Sequence, residues 1–319
     1  MKIPVLVVCG PTASGKTRLA VELAKGLGGE VVSADSMQIY KGMDIGTAKP
    51  TEEEMDGVPH HLIGFLEPET PFSVADYVEL AGRAVKDIHA MGRLPVLAGG
   101  TGLYIHSLLD NIRFADIEGS PYLRRELEAF AVRHGNEALW EHLNEIDPEH
   151  AASLHHNNKS RVIRSIEVYE VTGITMSEHM RRSRTEPTPY APVMLGISFG
   201  DRELLYERIG KRVDLMIEQG LLDEVRDFQV RGGKTAGQAI GYKELAPYLE
   251  GRCDLETAVE AVKRETRRYA KRQLTWLRRD RRIRWLLADR FPSYTCIAGE
   301  ARHIAPDQCE RMGYNVGTP

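Results

Sequence analysis

Gly10-Pro11-Thr12-Ala13-Ser14-Gly15-Lys16-Thr17 is the stretch that decides the fold. It has the form G-x-x-x-x-G-K-[ST], it follows the apolar run Val5–Cys9, and a helical pattern opens at Lys16. Strand, glycine-rich loop, then helix is the context in which this motif builds a phosphate cradle. Glycines let the chain curl so that several backbone N–H groups aim at one anion, and the helix N-terminus adds partial positive charge. Gly10, Thr12, Ala13, Ser14 and Gly15 supply the cradle, Lys16 neutralises the distal phosphates, and the Thr17 hydroxyl is suited to ligate Mg²⁺. The motif predicts a bound di- or triphosphate. It does not say that the phosphate is transferred.

The rest of the first third alternates strand-like and helical runs. Strands are expected at Val5–Cys9, Glu30–Ala34 and Pro95–Ala98, and helices at Lys16–Leu27 and Val74–Met91. Such alternation predicts an α/β fold, a P-loop NTPase-like parallel sheet flanked by helices. Between Pro121 and Met180 the chain is rich in Glu, Arg, Leu and Ala without a strand pattern, which reads as a mostly helical insertion domain. Pro187, Pro189 and Pro192 make Thr185–Pro192 a stiff connector. Val193–Phe199 then returns as a strand, and Arg202–Val230 and Leu255–Arg279 read as two long amphipathic helices. From Phe291 there is no clear periodicity. The expected organisation is a catalytic core over residues 1–112 and 191–290, a helical insertion over 113–190, and a tail of unassigned role over 291–319.

The chain has 319 residues, 42% hydrophobic and 28% charged, which fits a globular protein and excludes a collagen-like or largely disordered one. No run of about 18 apolar residues predicts a membrane span. The apolar start is too short for a signal peptide and leads straight into the loop. Cys9, Cys253, Cys296 and Cys309 lack metal-ligand spacing and read as free thiols in a reducing cytoplasm. His60–His61 and His155–His156 are adjacent pairs, whose side chains do not converge well on a metal. The net charge of −4 conceals a basic tract: Lys263, Arg264, Arg267, Arg268, Lys271, Arg272, Arg278, Arg279, Arg281, Arg282 and Arg284 stand against Glu265 and Asp280. Such a tract on an acidic chain points to a polyanionic partner.

An ATP-binding kinase fits the first domain poorly. After the Val74–Met91 pattern the strand at Pro95–Ala98 runs into Gly99-Gly100-Thr101-Gly102 instead of an acid. The strongly placed acid is Asp35, at the C-terminal end of the second strand, and ligands of open parallel sheets bind at that edge. Asp35, Thr101 and the phosphate loop are therefore expected to converge on one crevice. Taken alone, Asp35 could equally cap a turn.

The run from Val32 to Pro50, with Ser33-Ala34-Asp35-Ser36-Met37-Gln38-Ile39-Tyr40 at its start, resembles the signature of the tRNA dimethylallyltransferase (tRNA isopentenyltransferase) family. Pro59–Ile63, Gly99–Tyr104, Ala239–Glu244 and Arg268–Arg278 agree with it, so the resemblance spans Val5 to Trp285. One departure is Gly64, where the family usually has an acid.

The resemblance implies that a dimethylallyl group moves from dimethylallyl diphosphate to the exocyclic amine of the adenosine 3′-adjacent to the anticodon, with pyrophosphate leaving. Asp35 would then accept the amine proton, Thr101 would orient the leaving phosphate or the amine, and Arg208 or Arg212 would be a second pyrophosphate clamp. The implied contacts with the tRNA anticodon stem-loop are Asp35, Ser36, Met37, Gln38 and Thr101; Arg124, Lys159, Ser160, Arg161 and Arg164 of the insertion; Gly241, Tyr242 and Lys243; and Arg268, Lys271, Arg272, Gln273, Trp276 and Arg278 of the basic helix. Tyr269 and Leu274 are expected to anchor that helix to the core. Mg²⁺ is the expected cofactor, and the enzyme is expected to be cytoplasmic, monomeric and without a membrane partner. Three other readings stand beside this one: a free-adenylate prenyltransferase, which would not need the basic helix, a P-loop small-molecule kinase, and a non-catalytic RNA-binding protein.

Overall fold

A computed structural model describes residues 2–115, 117–231 and 235–311. One parallel sheet organises the larger part of the chain. Its strands are β1 (Ile3–Cys9), β2 (Gly29–Ala34), β3 (His60–His61), β4 (Leu94–Gly99), β5 (Tyr190–Ser198) and β6 (Ile283–Leu287), in the order β3-β2-β4-β1-β5-β6. The main helices are α1 (Lys16–Gly26), α2 (Val74–Ala90), α3 (Gly102–Leu109), α4 (Pro121–Ile146), α5 (Lys159–Thr172), α6 (Met176–Arg182), α7 (Arg202–Glu218), α8 (Leu221–Arg231), α9 (Tyr242–Leu249), α10 (Leu255–Leu277) and α11 (Tyr294–Arg311).

The apolar run of β1 has no polar side because both faces of a parallel sheet are covered. Leu6 and Val8 pack with Leu19 and Leu23 of α1 on one face, and Val5 and Val7 pack with Val85 and Ile88 of α2 and Ile105 of α3 on the other. The register places Gly99 opposite both Cys9 and Ala34. The chain therefore leaves β1, β2 and β4 at the same level, which brings the phosphate loop, Asp35 and the glycine turn to one edge of the sheet.

Four expectations need correction. The run Arg202–Val230 is two helices, because Gly220 takes φ +98° and turns the chain between α7 and α8. The strand β5 begins before Pro192, not after it. Pro192 pairs with Val5 of β1, while the partner on the other side, β6, joins only from Met194, so the missing N–H costs no ladder bond there. The basic tract is not one element: α10 ends at Leu277, and Ile283–Leu287 forms the edge strand β6. Several of its cations are paired, among them Lys263 with Asp214 at 2.8 Å, Arg268 with Glu265 at 2.6 Å, Arg282 with Asp280 at 2.7 Å and Arg284 with Glu300 at 3.5 Å. Finally, the tail contains α11, whose Ile297, Ala298, Ala301 and Ile304 are buried in the same cluster as Leu19, Ala20 and Leu23 of α1. Burying each isoleucine contributes roughly 1.5–3 kcal/mol as an upper bound.

The chain divides into two compact units, residues 1–109 with 188–319, and 110–187. The second unit has its own core of Leu127, Leu139, Leu143, Val162, Ile163 and Ile166, contributed by α4 and α5. At its centre Glu167 is fully buried and holds Arg124 at 2.8 Å, Arg164 at 2.7 Å and the Ser120 N–H at 2.7 Å. Burial alone would raise the Glu167 carboxyl, but the two guanidiniums bring it below the ordinary carboxylate value. Arg124 and Arg164 are thus committed to a structural ion-pair cluster inside the insertion. Lys159, Ser160 and Arg161 form the open first turn of α5. Of the cysteines, Cys9, Cys253 and Cys296 are free thiols, and the side chain of Cys309 lies outside the described residues.

Candidate active site

The edge where β1, β2 and β4 end opens into a cavity of about 1010 Å³. Its wall includes the loop residues Thr12, Ala13, Gly15, Lys16 and Thr17, the turn Asp35–Gln38, the segment Asp44–Lys49, and Arg208 and Arg212 of α7. Gly241, Lys243, Tyr269, Arg272 and Gln273 complete it from α9 and α10. Distant parts of the sequence meet here because the phosphate loop and the Asp35 turn leave the sheet at one level and α10 packs across them.

The phosphate loop is held from two sides. Ala13 takes φ +61°, and its carbonyl accepts the Nε–H of Arg208 at 3.0 Å. The Thr12 N–H donates to Gln273 Oε1 at 2.9 Å, and Gln273 Nε2 donates to the Gly100 carbonyl at 3.2 Å. Gln273 thus ties the phosphate loop to the glycine turn. The Ser14 hydroxyl is buried without a hydrogen-bond partner among the described residues.

Burial pulls the Lys16 ammonium down to about 8, although the nearby Asp35 carboxylate opposes the shift. A diphosphate would favour the charged form, so binding it above that pH requires proton uptake. Through Lys16, donor affinity is accordingly expected to be insensitive to pH below about 8 and to fall by up to about tenfold per unit above it. Calorimetric titration of donor binding between pH 7 and 10 checks this, and the dependence should vanish in Lys16→Ala.

Asp35 serves both the turn and the cavity. Its Oδ1 accepts the N–H of Met37 at 2.9 Å and that of Gln38 at 3.4 Å, while Oδ2 takes no hydrogen bond from the described residues. The turn contacts therefore use one oxygen of the carboxylate. Thr101 is not on the cavity wall. Its hydroxyl accepts the Ser36 N–H at 3.2 Å and sits beside the Tyr269 hydroxyl, so it supports the Asp35–Ser36 turn from behind.

Both candidate clamps line the cavity; Arg208 also donates its Nε–H to the Ala13 carbonyl and lies 5.4 Å from the Phe199 ring. Arg212 makes no hydrogen bond or ion pair among the described residues and lines the cavity. Burial lowers its guanidinium below the ordinary value, with Glu54 and Asp35 opposing.

Several residues expected at an RNA surface are placed otherwise. Gln273 is 5% exposed, and both ends of its amide are used. Its spacing from Ala270 and Leu277, both buried, puts it on the inner face of α10, a signal that was present in the sequence. Tyr242 is 3% exposed, with its hydroxyl on Glu224 at 2.6 Å. Gln38 lines the cavity, but its amide donates to the carbonyls of Thr47 at 3.2 Å and Ala48 at 2.9 Å. Tyr269, expected as a core anchor, lines the cavity, and burial together with Asp35 raises its hydroxyl well above the ordinary value. Trp276 packs over Gly102. Arg268 pairs with Glu265 at 2.6 Å and Arg272 lies 5.8 Å from the Tyr269 ring, whereas Lys271 and Arg278 are exposed. Thr47 and Ala48, which lie within the Val32–Pro50 signature without an expected site role, and Lys211, which carries no motif signal, also line the wall.

The histidine pairs have separate partners. His61 contacts the buried Glu30 at 2.6 Å, His60 contacts the Val58 carbonyl at 2.8 Å, and His155 and His156 stack on each other. Among the described residues no group of three His, Cys, Asp or Glu could hold a metal ion.

Comparison with known proteins bears on this arrangement. The family model described as IPP transferase matches residues 38–280, and one described as isopentenyl transferase matches residues 3–64. A tRNA dimethylallyltransferase of Bacillus licheniformis is 53% identical over 89% of this chain and 90% of its own. One from Caldanaerobacter subterraneus subsp. tengcongensis is 49% identical over 92% and 95%. The crystal structure of a tRNA isopentenylpyrophosphate transferase from Bacillus halodurans is similar with a TM-score of 0.73 and 45% identity, covering 98% of both chains. A eukaryotic dimethylallyltransferase crystallised acting on tRNA has a TM-score of 0.80 and 28% identity over 97% of this chain and 80% of that one.

Proposed function

The chain belongs to the IPP transferase family, and we propose that it is a tRNA dimethylallyltransferase, moving the dimethylallyl group of dimethylallyl diphosphate onto the exocyclic amine of the adenosine 3′-adjacent to the anticodon. The observation that carries this reading is the meeting of Lys16 and Asp35 on one cavity wall. A cation that holds a leaving diphosphate faces a carboxylate that can take a proton. The carbon–oxygen bond of the donor breaks as the bond from nitrogen to carbon forms. The amine proton passes to the open Oδ2 of Asp35, and pyrophosphate leaves. An adenine amine is a poor nucleophile because its lone pair is delocalised, so a base that relieves the developing positive charge lowers the barrier.

The leaving group gains charge as it departs. Lys16, Arg212 and the N-terminus of α1 stabilise that charge. The buried Ser14 hydroxyl is a further donor that a phosphate oxygen would satisfy. The Thr17 hydroxyl on this wall is a hard oxygen donor, which fits Mg²⁺. Thr17 would hold the ion, which neutralises diphosphate charge when bound. No helix among the described residues is long and apolar enough to cross a membrane, and a cytoplasmic location is part of this proposal.

The decisive experiment offers labelled dimethylallyl diphosphate with unmodified tRNA in one tube and AMP in another. Label in tRNA is the expected result. Label in AMP alone, or phosphoryl transfer from ATP, would replace this reading.

The exposed cations of α10 are expected to hold the RNA backbone. Replacing Arg268, Lys271, Arg272 and Arg278 with Gln should weaken tRNA binding and flatten the log–log salt slope by about 3 units, at roughly 0.7–0.9 per lost phosphate contact. Transfer at saturating tRNA should change much less. Filter binding between 50 and 200 mM salt reads the slope. An unchanged slope in a folded variant would move the RNA to another face.

A further inference from the structure

Glu224 lies on α8, outside every motif of the sequence, yet its carboxylate receives four hydrogen bonds. Oε2 accepts the N–H groups of Asp44 and Ile45, both at 2.7 Å. Oε1 accepts the Gly46 N–H at 2.8 Å and the Tyr242 hydroxyl at 2.6 Å. Three successive backbone N–H groups turned to one point form the kind of concavity that takes an anion, and here the anion is a side chain from about 180 residues downstream. Gly46 is required at the contact, since a Cβ there would lie 2.7 Å from the Tyr242 ring.

The connection continues past Gly46. The Thr47 and Ala48 carbonyls accept the Gln38 amide, and the Gln38 N–H closes the turn on Asp35 Oδ1. Both the Asp44–Ala48 segment and the Asp35–Gln38 turn form cavity wall. Among the described residues no hydrogen bond links this chain of contacts to the phosphate loop, whose hydrogen-bonded supports are Arg208 and Gln273.

We propose that Glu224 is a positioning residue, clamping Asp44–Gly46 so that the segment up to Ala48, and through Gln38 the Asp35 turn, keeps the shape that receives the target adenosine. This rests on the tRNA-prenylation reading above. With four donors on its two oxygens, the carboxylate has no capacity left for substrate, so it acts through the loop.

Glu224→Gln is nearly isosteric, but it turns an NH₂ group toward backbone N–H donors and removes the charge. The expected result is a loss of about 10²-fold in kcat/KM for tRNA, the scale on which small misplacements act, with the donor Kd within about twofold of the wild type. Tyr242→Phe deletes one of the four bonds and should cost at most about tenfold. The double variant should be no worse than Glu224→Gln alone, because the tyrosine acts through the same carboxylate. Hydrogen exchange adds a readout independent of catalysis: the amides of Asp44–Gly46 should exchange at least about tenfold faster in Glu224→Gln, while those of the phosphate loop stay unchanged. Full activity in Glu224→Gln, or a donor Kd that rises in step with KM for tRNA, would overturn the proposal and leave a general packing role. If the wild type itself failed to prenylate tRNA, the function would be wrong, while the exchange rates would still decide the clamp.

Discussion

Asp35→Asn is expected to bind tRNA normally and to transfer the dimethylallyl group roughly 10²–10⁴-fold more slowly, the usual worth of a general base. The structure makes this substitution unusually clean. The turn depends on Oδ1, which accepts the Met37 N–H at 2.9 Å, and an asparagine carbonyl can accept the same bond. What asparagine cannot do is take a proton on the atom that replaces Oδ2. Loss of transfer with an intact turn therefore isolates proton acceptance from folding. Single-turnover transfer with preformed enzyme–tRNA complex measures it, since binding is then removed from the rate. Turnover within about threefold of the wild type would take Asp35 out of the chemistry and leave it as a turn cap.

Lys16→Ala should raise the donor dissociation constant and slow transfer together, by about 10²–10³-fold in kcat/KM for the donor, the range seen when one preorganised partner of a developing anion is removed. Both parameters should move because Lys16 meets the diphosphate before and during its departure. The loss should not be complete, since Arg212 lines the same cavity and remains charged. Affinity for tRNA should stay within about twofold, because the cations proposed to hold the RNA lie on α10. A variant that binds the donor as tightly as the wild type would mean that the loop serves another ligand.

These two expectations use residues that the sequence already exposed, and the reason is physical. The phosphate loop is a contiguous motif whose backbone conformation is set by its own glycines and by the helix that follows. Asp35 is the first residue beyond a strand, a position whose level at the sheet edge is dictated by parallel pairing. The residues that were misplaced are those whose direction depends on packing. Gln273 and Tyr242 sit inside a basic or polar stretch and look like surface residues in one dimension. In the fold one turns inward to join two loops, and the other fills the space beside Gly46. Arg124 and Arg164 carry a charge that suits RNA, but Glu167, a fully buried partner 43 and 3 residues away, claims both.

The sequence by itself determined the parallel α/β class, the phosphate loop, the acid at the strand end and the helical insertion. All of these follow from local pattern, the period of apolar residues and the chemistry of one short motif. Tertiary structure alone decided three further matters. It made the tail a helix buried against α1, because a short apolar face has no meaning until its partner surface exists. It gave Arg208, and not Arg212 one turn along the same helix, a hydrogen bond to the loop's Ala13 carbonyl, a contact that sequence spacing does not show. It also joined Glu224 to Asp44–Gly46, because a carboxylate finds backbone N–H groups across about 180 residues through chain folding, and spacing in sequence carries no trace of that contact.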